Sequence, residues 1–229
     1  MPAPEAGRKM FFYEGFARDW DAQMDAHELG KRLRLVFGKL LHEPDIAGRL
    51  VLDAGAGTGH FSRVLARQGA RLVSMDLGAN LLAEVRKKCA TRAVAGSLLE
   101  LPFADGAFDA VLCTEVIEHT TDPRRAVSEL CRVVAPGGVL VVTVPNRFWK
   151  IAVIVANALK LRPYHGLENW VGYAQLAAWI GDQGLAIEDH RGFNLLPHTQ
   201  FCRPAFDRLD LPALYPFMIN IAVRARRPL

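Results

Sequence analysis

The chain has 229 residues, 51% of them hydrophobic and 23% charged, enough for one ordinary core and too apolar for a disordered segment. Its net charge of +4 permits contact with anionic partners but falls short of the footprint of a nucleic-acid binder. The four cysteines (Cys89, Cys113, Cys131, Cys202) form no CxxC pair, MPAPEAGRKM has no apolar leader, and no run approaches the ~20 apolar residues of a spanning helix, so reduced thiols in a cytoplasmic protein are expected.

Residues 1–9 read as a loose tail, followed by the aromatics Phe11, Phe12, Tyr13, Phe16 and Trp20. Helical spacing of Leu29, Leu33, Val36, Phe37, Leu40 and Leu41 predicts a helix over roughly Ala26 to Leu41. Leu50, Val51 and Leu52 form a buried strand closed by Asp53, and Gly55, Gly57 and Gly59 follow in alternation. Phe61, Val64 and Leu65 then open a helix whose first N–H groups face whatever occupies the glycine turn.

Strand and helix then alternate: a strand Arg71 to Met75 closed by Asp76, a helix Leu81 to Cys89, a strand Thr91 to Ala95. The loop LPFADGAFD leads to a fourth strand, Ala110 to Cys113. Asp122 caps a helix with Pro123 at its first position, running to Val133 and stopping at Pro136-Gly137-Gly138. Val139 to Val144 is apolar on both faces, as a central parallel strand should be. The pattern predicts a doubly wound α/β domain, a mostly parallel Rossmann-like sheet with helices on both sides.

The last third departs from this alternation. Phe148 to Leu161 reads as an apolar helix with basic flanks, Ala174 to Asp182 as a helix and Leu185 to His190 as a sixth strand. Asn194 to Pro216 is irregular. Phe217 to Arg226 alternates Ile219, Ile221 and Val223 against Asn220, Ala222 and Arg224, which suits an antiparallel or edge strand, with Arg224, Arg226 and Arg227 on a solvated face. In organisation, 1–45 is an N-terminal lid and helix, 46–146 the cofactor-binding half, and 147–229 the acceptor-side helices, cap and last strands of the same domain.

A glycine turn after a strand is common to many nucleotide folds. Here the acid Asp53 immediately precedes the loop. Asp76 ends strand two 23 residues later, where a carboxylate accepts both hydroxyls of a ribose. Leu101 to Asp109 and EVIEH are expected on the same carboxyl edge of the sheet. In these motifs the chain resembles the class I S-adenosylmethionine-dependent methyltransferases: VLDAGAGTGHF is similar to the family's first motif, MDLG to its ribose motif, LPFADGAFDAVLCTEVIEH to the adenine-side loop and fourth strand, and RVVAPGGVLVVTVPN to the run into strand five. The resemblance implies a seven-stranded sheet with an antiparallel last strand and S-adenosyl-L-methionine as cofactor. Asp53, Gly55, Ala56, Gly57, Gly59, Asp76, Leu77, Ser97, Leu98, Thr114 and Glu115 would form its site. Many relatives carry an Asp where this chain has Ser97, whose hydroxyl accepts more weakly, so adenine would lean on Leu77, Leu98 and backbone.

The chemistry expected is methyl transfer to a small apolar or aromatic acceptor, at oxygen in preference to nitrogen or carbon, with His119 and His165 as base or site-lining groups. His27, His42, His60 and His190 have structural readings. Glu115, Glu118 and His119 would share one face of a short helix, and with His165 could meet a divalent ion. The resemblance reaches metal-dependent RNA ribose 2′-O-methyltransferases and ubiquinone-pathway O-methyltransferases here. In other relatives the same ExxEH only braces the loop. Tyr13, Phe16 and Trp20 match the family's cofactor lid, and Trp149 and His198 are placed at the acceptor. The apolar helix 148–161 is expected to meet a membrane surface, to roof the substrate, or to form a homodimer contact. A methyltransferase-like protein that binds without turnover and, more distantly, a nicotinamide dehydrogenase are the remaining alternatives.

Overall fold

The computed structural model describes residues 25–158, 168–195 and 211–229 (side chains of 156–158 excepted). Tyr13, Phe16, Trp20, His165, His198 and Cys202 lie outside them.

Seven strands form one sheet: β1 (Leu50–Ala54), β2 (Arg71–Asp76), β3 (Arg92–Ala95), β4 (Phe108–Thr114), β5 (Val134–Pro145), β6 (Ala186–Phe193) and β7 (Asn220–Arg226), in the order β3-β2-β1-β4-β5-β7-β6. β1 to β5 run parallel, and β7 lies antiparallel to both β5 and β6. The helices are α1 (Ala26–Leu35), α2 (Glu43–Ile46), α3 (His60–Arg67), α4 (Ala79–Lys88), α5 (Pro123–Arg132), α6 (Lys150–Ala158) and α7 (Tyr173–Gly181).

Alternate residues of each central strand feed two cores. Leu52, Val111, Val142 and Val223 pack with Leu130 of α5 and Leu176 of α7. Val51, Leu112, Val141 and Ala222 pack on the opposite face with Leu65 of α3 and Ile46 of α2. Such two-sided burial is what a parallel sheet under two helical layers requires. Asp122 caps α5 as expected, its Oδ1 accepting from Arg125 N at 3.0 Å.

Four expectations fail in instructive ways. The helix over 26–41 stops at Leu35 and widens into a π turn, Val36–Leu40, where Leu41 N reaches back to Val36 O at 2.7 Å. The last strand is antiparallel as expected but begins at Asn220 instead of Phe217, after a 3-10 turn Pro212–Phe217, and is interior, leaving β6 at the edge. Its alternation is polar on one face because Arg224 is buried there, not solvated: Nε donates to Glu188 (2.6 Å) and Nη1 to Leu40 O (2.6 Å) and Asp45 (2.7 Å). Leu101 to Ala107 does not reach the carboxyl edge. It crosses to the amino-terminal ends of the strands, where Phe103 and Ala107 lie with Leu50 and Arg71, held by Arg132 Nη1 on Phe103 O (2.8 Å) and Asp105 (2.7 Å).

Candidate active site

The carboxyl ends of the parallel strands enclose a cavity of about 360 Å³, within the range that holds a drug-sized ligand. Loop geometry opens it. Gly55, Gly57 and Gly59 all have positive φ (79°, 52° and 88°). A Cβ on Gly55 would sit 2.5 Å from Val116 Cγ2, so only glycine lets the loop after β1 lie under the loop after β4. The Gly55 and Ala56 N–H groups donate inward to Met75 O (2.8 and 2.9 Å), tying the turn to β2.

Asp76 completes this wall. Its Oδ2 accepts from Gly57 N (2.8 Å) and its Oδ1 from Gly78 N (3.1 Å), so one carboxylate locks the glycine loop and the start of α4 while lining the cavity. Ala56, Leu77, Ser97, Leu98, Thr114 and Glu115 also line it, as expected. Ser97 Oγ accepts from Leu99 N at 3.2 Å, which shapes the turn carrying Leu98.

Three expected residues do not line the cavity. Asp53 is 1% exposed beneath the loop, accepting from Ser62 Oγ at 2.6 Å, and Ser62 continues to Ser74 (2.9 Å). Burial raises its pKa to about 6 against the opposing Ser62 hydrogen bond. It braces α3 against the sheet. Gly59 serves packing: a Cβ there would stand 3.0 Å from the α4 backbone at Val85. Trp149 lies away from the cavity, its Nε1 donating to Phe217 O at 2.9 Å.

At the β4 end the wall becomes ionic. Glu115 has φ 55°, and the following 3-10 turn is only Ile117–His119, so Glu115, Glu118 and His119 do not share a helical face. Among the described residues no group of three His, Cys, Asp or Glu is placed to hold a metal. Glu115 Oε2 accepts from Asn220 Nδ2 (2.7 Å). Glu118 is 3% exposed, its Oε1 lies 3.8 Å from His119 Nε2, and its buried Oε2 has no hydrogen-bond partner. Burial raises both glutamate pKa values, and the Glu115 charge pushes Glu118 further up. The backbone around it is clamped by Asn169, whose N donates to Glu118 O (2.7 Å) and whose Nδ2 donates to Thr120 O (2.6 Å).

The sequence reading missed Leu29 and Arg32 of α1, His60 and Glu168, all of which line the cavity. His60 reads as a bland junction residue, yet it is the first residue of α3 and faces the ligand space. Arg32 is a cation three residues beyond Leu29, and that i, i+3 pairing was its only signal. Its Nε is buried without a hydrogen-bond partner.

The family described as "Methyltransferase domain" matches residues 52–142. The chain is 33% identical over 181 residues to a ubiquinone biosynthesis O-methyltransferase of Xylella fastidiosa, covering 72% of each chain. It belongs to the class I S-adenosylmethionine-dependent methyltransferases. A probable S-adenosylmethionine-dependent methyltransferase of Mycolicibacterium smegmatis is 34% identical over 163 residues, which cover 71% of this chain and 61% of that relative. The fold matches a putative methyltransferase of Haloferax volcanii solved with the Trm112 activator, at TM-score 0.71 and 17% identity, over 95% of this chain and 98% of that one. S-adenosylmethionine is therefore the methyltransferase's cofactor, and the cavity suits it: glycine backbone and Asp76 line it, and so does Arg32, whose buried Nε lacks a hydrogen-bond partner that a carboxylate would supply.

Proposed function

We propose that the methyltransferase transfers a methyl group to a hydroxyl oxygen of a small apolar or aromatic acceptor. The observation that carries this reading is His119 in the cavity wall, an imidazole just past the end of β4 with the Glu118 carboxyl 3.8 Å from its Nε2. The cofactor supplies an electrophilic methyl on a sulfonium, so the chain's task is alignment and removal of the acceptor proton. Asp76 would hold the ribose, Arg32 the amino-acid carboxylate, and Leu77 and Leu98 the adenine faces. His119 Nε2 would take the hydroxyl proton as the oxygen–carbon bond forms and the carbon–sulfur bond breaks. The names of the O-methyltransferase relatives support oxygen as the target.

The test is incubation with S-adenosylmethionine and a panel of catechols, phenols and matched aromatic amines, with products read by mass spectrometry and NMR. O-methyl products lost in His119→Ala are expected. N-methyl products, or turnover unchanged by that substitution, would overturn the assignment of target or base.

We further infer that the face built by α6 meets an anionic bilayer. Phe148 (59% exposed), Ile151 (76%), Ile154 and Val155 form a solvent-facing apolar stripe, joined by Phe217, whose ring stands 5.3 Å from that of Phe148. The exposed Arg147 and Lys150 provide a basic rim. The stripe follows Pro145, a residue of the cavity wall, so a bound membrane would lie beside the acceptor side. Flotation with phosphatidylglycerol vesicles and its loss in Ile151→Glu are expected. Failure to float, or a dimer by light scattering that Ile151→Glu dissolves, would overturn it.

A further inference from the structure

Helix α1 brings Leu29 and Arg32 to the cavity yet buries none of its own residues. Leu29, Leu33 and Leu35 pack it against the core from one side, and the contacts at its ends fix where it lies along that face. Its C-terminal end runs into the π turn, where Val36 and Leu40 are fully buried and Leu40 O accepts from Arg224. Near its N-terminal end the anchor is Glu28: Oε1 accepts from Lys31 Nζ (3.0 Å) and Oε2 from Asn194 Nδ2 (3.0 Å).

The second anchor leads into the active site. Asn194 Nδ2 also donates to Asn220 Oδ1 (3.1 Å), and Asn220 Nδ2 donates to Glu115 Oε2 (2.7 Å). One hydrogen-bonded chain thus joins α1, the residue after β6, the start of β7 and the loop after β4. Asn194 donates to both sides, to Glu28 and to Asn220, and Asn220 donates on to Glu115, so both carboxylates accept. The two non-glycine residues with positive φ among those described, Glu115 (55°) and Asn194 (61°), both belong to it. Strained backbone of this kind persists where surrounding contacts enforce it, and it points to function. Asn220 holds Glu115 through Oε2, while Glu115 Oε1 and Arg32 Nε are both buried without a hydrogen-bond partner, and the Arg32 charge acts on Glu115 and Glu118, which puts it near the β4 end of the cavity.

We propose that Glu28, Asn194 and Asn220 form a clasp that positions Arg32 over the amino-acid end of the cofactor, making the two asparagines positioning residues for the cofactor's carboxylate. This rests on the placement of the cofactor given above. The clasp acts chiefly through Arg32, the cation it positions, so it matters most to a ligand that carries the amino-acid tail and little to one that lacks it.

Calorimetry with two probes tests this: S-adenosylhomocysteine, which has the tail, and 5′-methylthioadenosine, which does not. Asn194→Gly removes the amide while suiting the left-handed backbone, so the fold should persist, checked by melting temperature. It is expected to weaken S-adenosylhomocysteine about tenfold and methylthioadenosine by less than about twofold. Arg32→Gln should show the same tail-selective loss, and the double variant should bind no worse than Arg32→Gln alone. Glu28→Gln, whose amide oxygen still accepts from Asn194, should retain affinity where Glu28→Leu loses it. Equal losses for both probes, or losses that add in the double variant, overturn the clasp while leaving the cofactor assignment intact. A native chain that binds neither probe removes the cofactor placement and the clasp together.

Discussion

The two halves of the sheet use buried polar groups for opposite ends. Around β1 and β2, Asp76 spends its carboxylate on loop N–H groups and still faces the ligand space, so the residues that shape the loop also form the site. Around β5, β7 and β6, Arg224 is turned inward on Asp45, Glu188 and Leu40 O, and none of these touches the cavity. Where site and scaffold coincide, a mutation should cost binding. Where they are separate, it should cost stability.

The largest effect expected is on the scaffold side. Arg224→Met leaves Asp45 and Glu188 with only the more exposed Arg226 and strips Leu40 O of its donor, and should destabilise the fold by about 3 kcal/mol or more in a urea titration, with S-adenosylhomocysteine affinity in the surviving native protein unchanged. A comparable loss of affinity would collapse the distinction. On the site side, Asp76→Ala should raise the S-adenosylhomocysteine dissociation constant by a hundredfold or more, about 3 kcal/mol, through lost loop bonds and the lost ribose acceptor. Gly59→Ala probes the boundary. It crowds Val85 at positive φ and should lower stability by about 1–2 kcal/mol, with a smaller effect on binding than Asp76→Ala.

The smallest effects are in pH dependence, and the halves carry opposite signs. Burial opposes ionisation of Asp45 and Glu188, but hydrogen bonds and charge from Arg224 and Arg226 outweigh it and hold both pKa values down. Their contribution is therefore complete above the ordinary carboxylate range and is lost as pH falls through the lowered values. Asp53, raised from 3.8 to about 6, binds its proton more tightly folded than unfolded, so stability should fall as pH rises from 4 to 6. Asp53→Asn should flatten that limb in pH-resolved thermal melts, and a limb that survives the substitution would assign it to Glu115 and Glu118.

The same division explains what was legible in the residues alone. The glycine loop, Asp76 and the parallel core are local: strand, turn and helix lie next to each other in the chain, and their periodicity carries the information. Asp53 was legible as important but not in its role, because a strand-end acid looks the same whether it faces a ligand or a buried serine. Arg224 and the interior position of β7 were illegible, since alternation with a cation on one face is equally the mark of a solvated edge. Their partners, Leu40 and Asp45, are nearly the full chain away. Arg32 hid for a related reason: the apolar spacing of its helix marks a core-facing stripe, but nothing local says that the helix rests on a cavity.

The place of β7 also sets a schedule for synthesis. β5 and α5 emerge from the ribosome with one edge of the growing sheet open, and the strand that closes it, Asn220–Arg226, follows some 75 residues later. Only then does Arg224 reach Leu40 and Asp45, so the first helical segments and the last strand lock in a single late event of high contact order. Until that event the apolar edge of β5 is an exposed template for pairing with other nascent chains, and the yield of soluble protein should depend on how quickly the last strand docks.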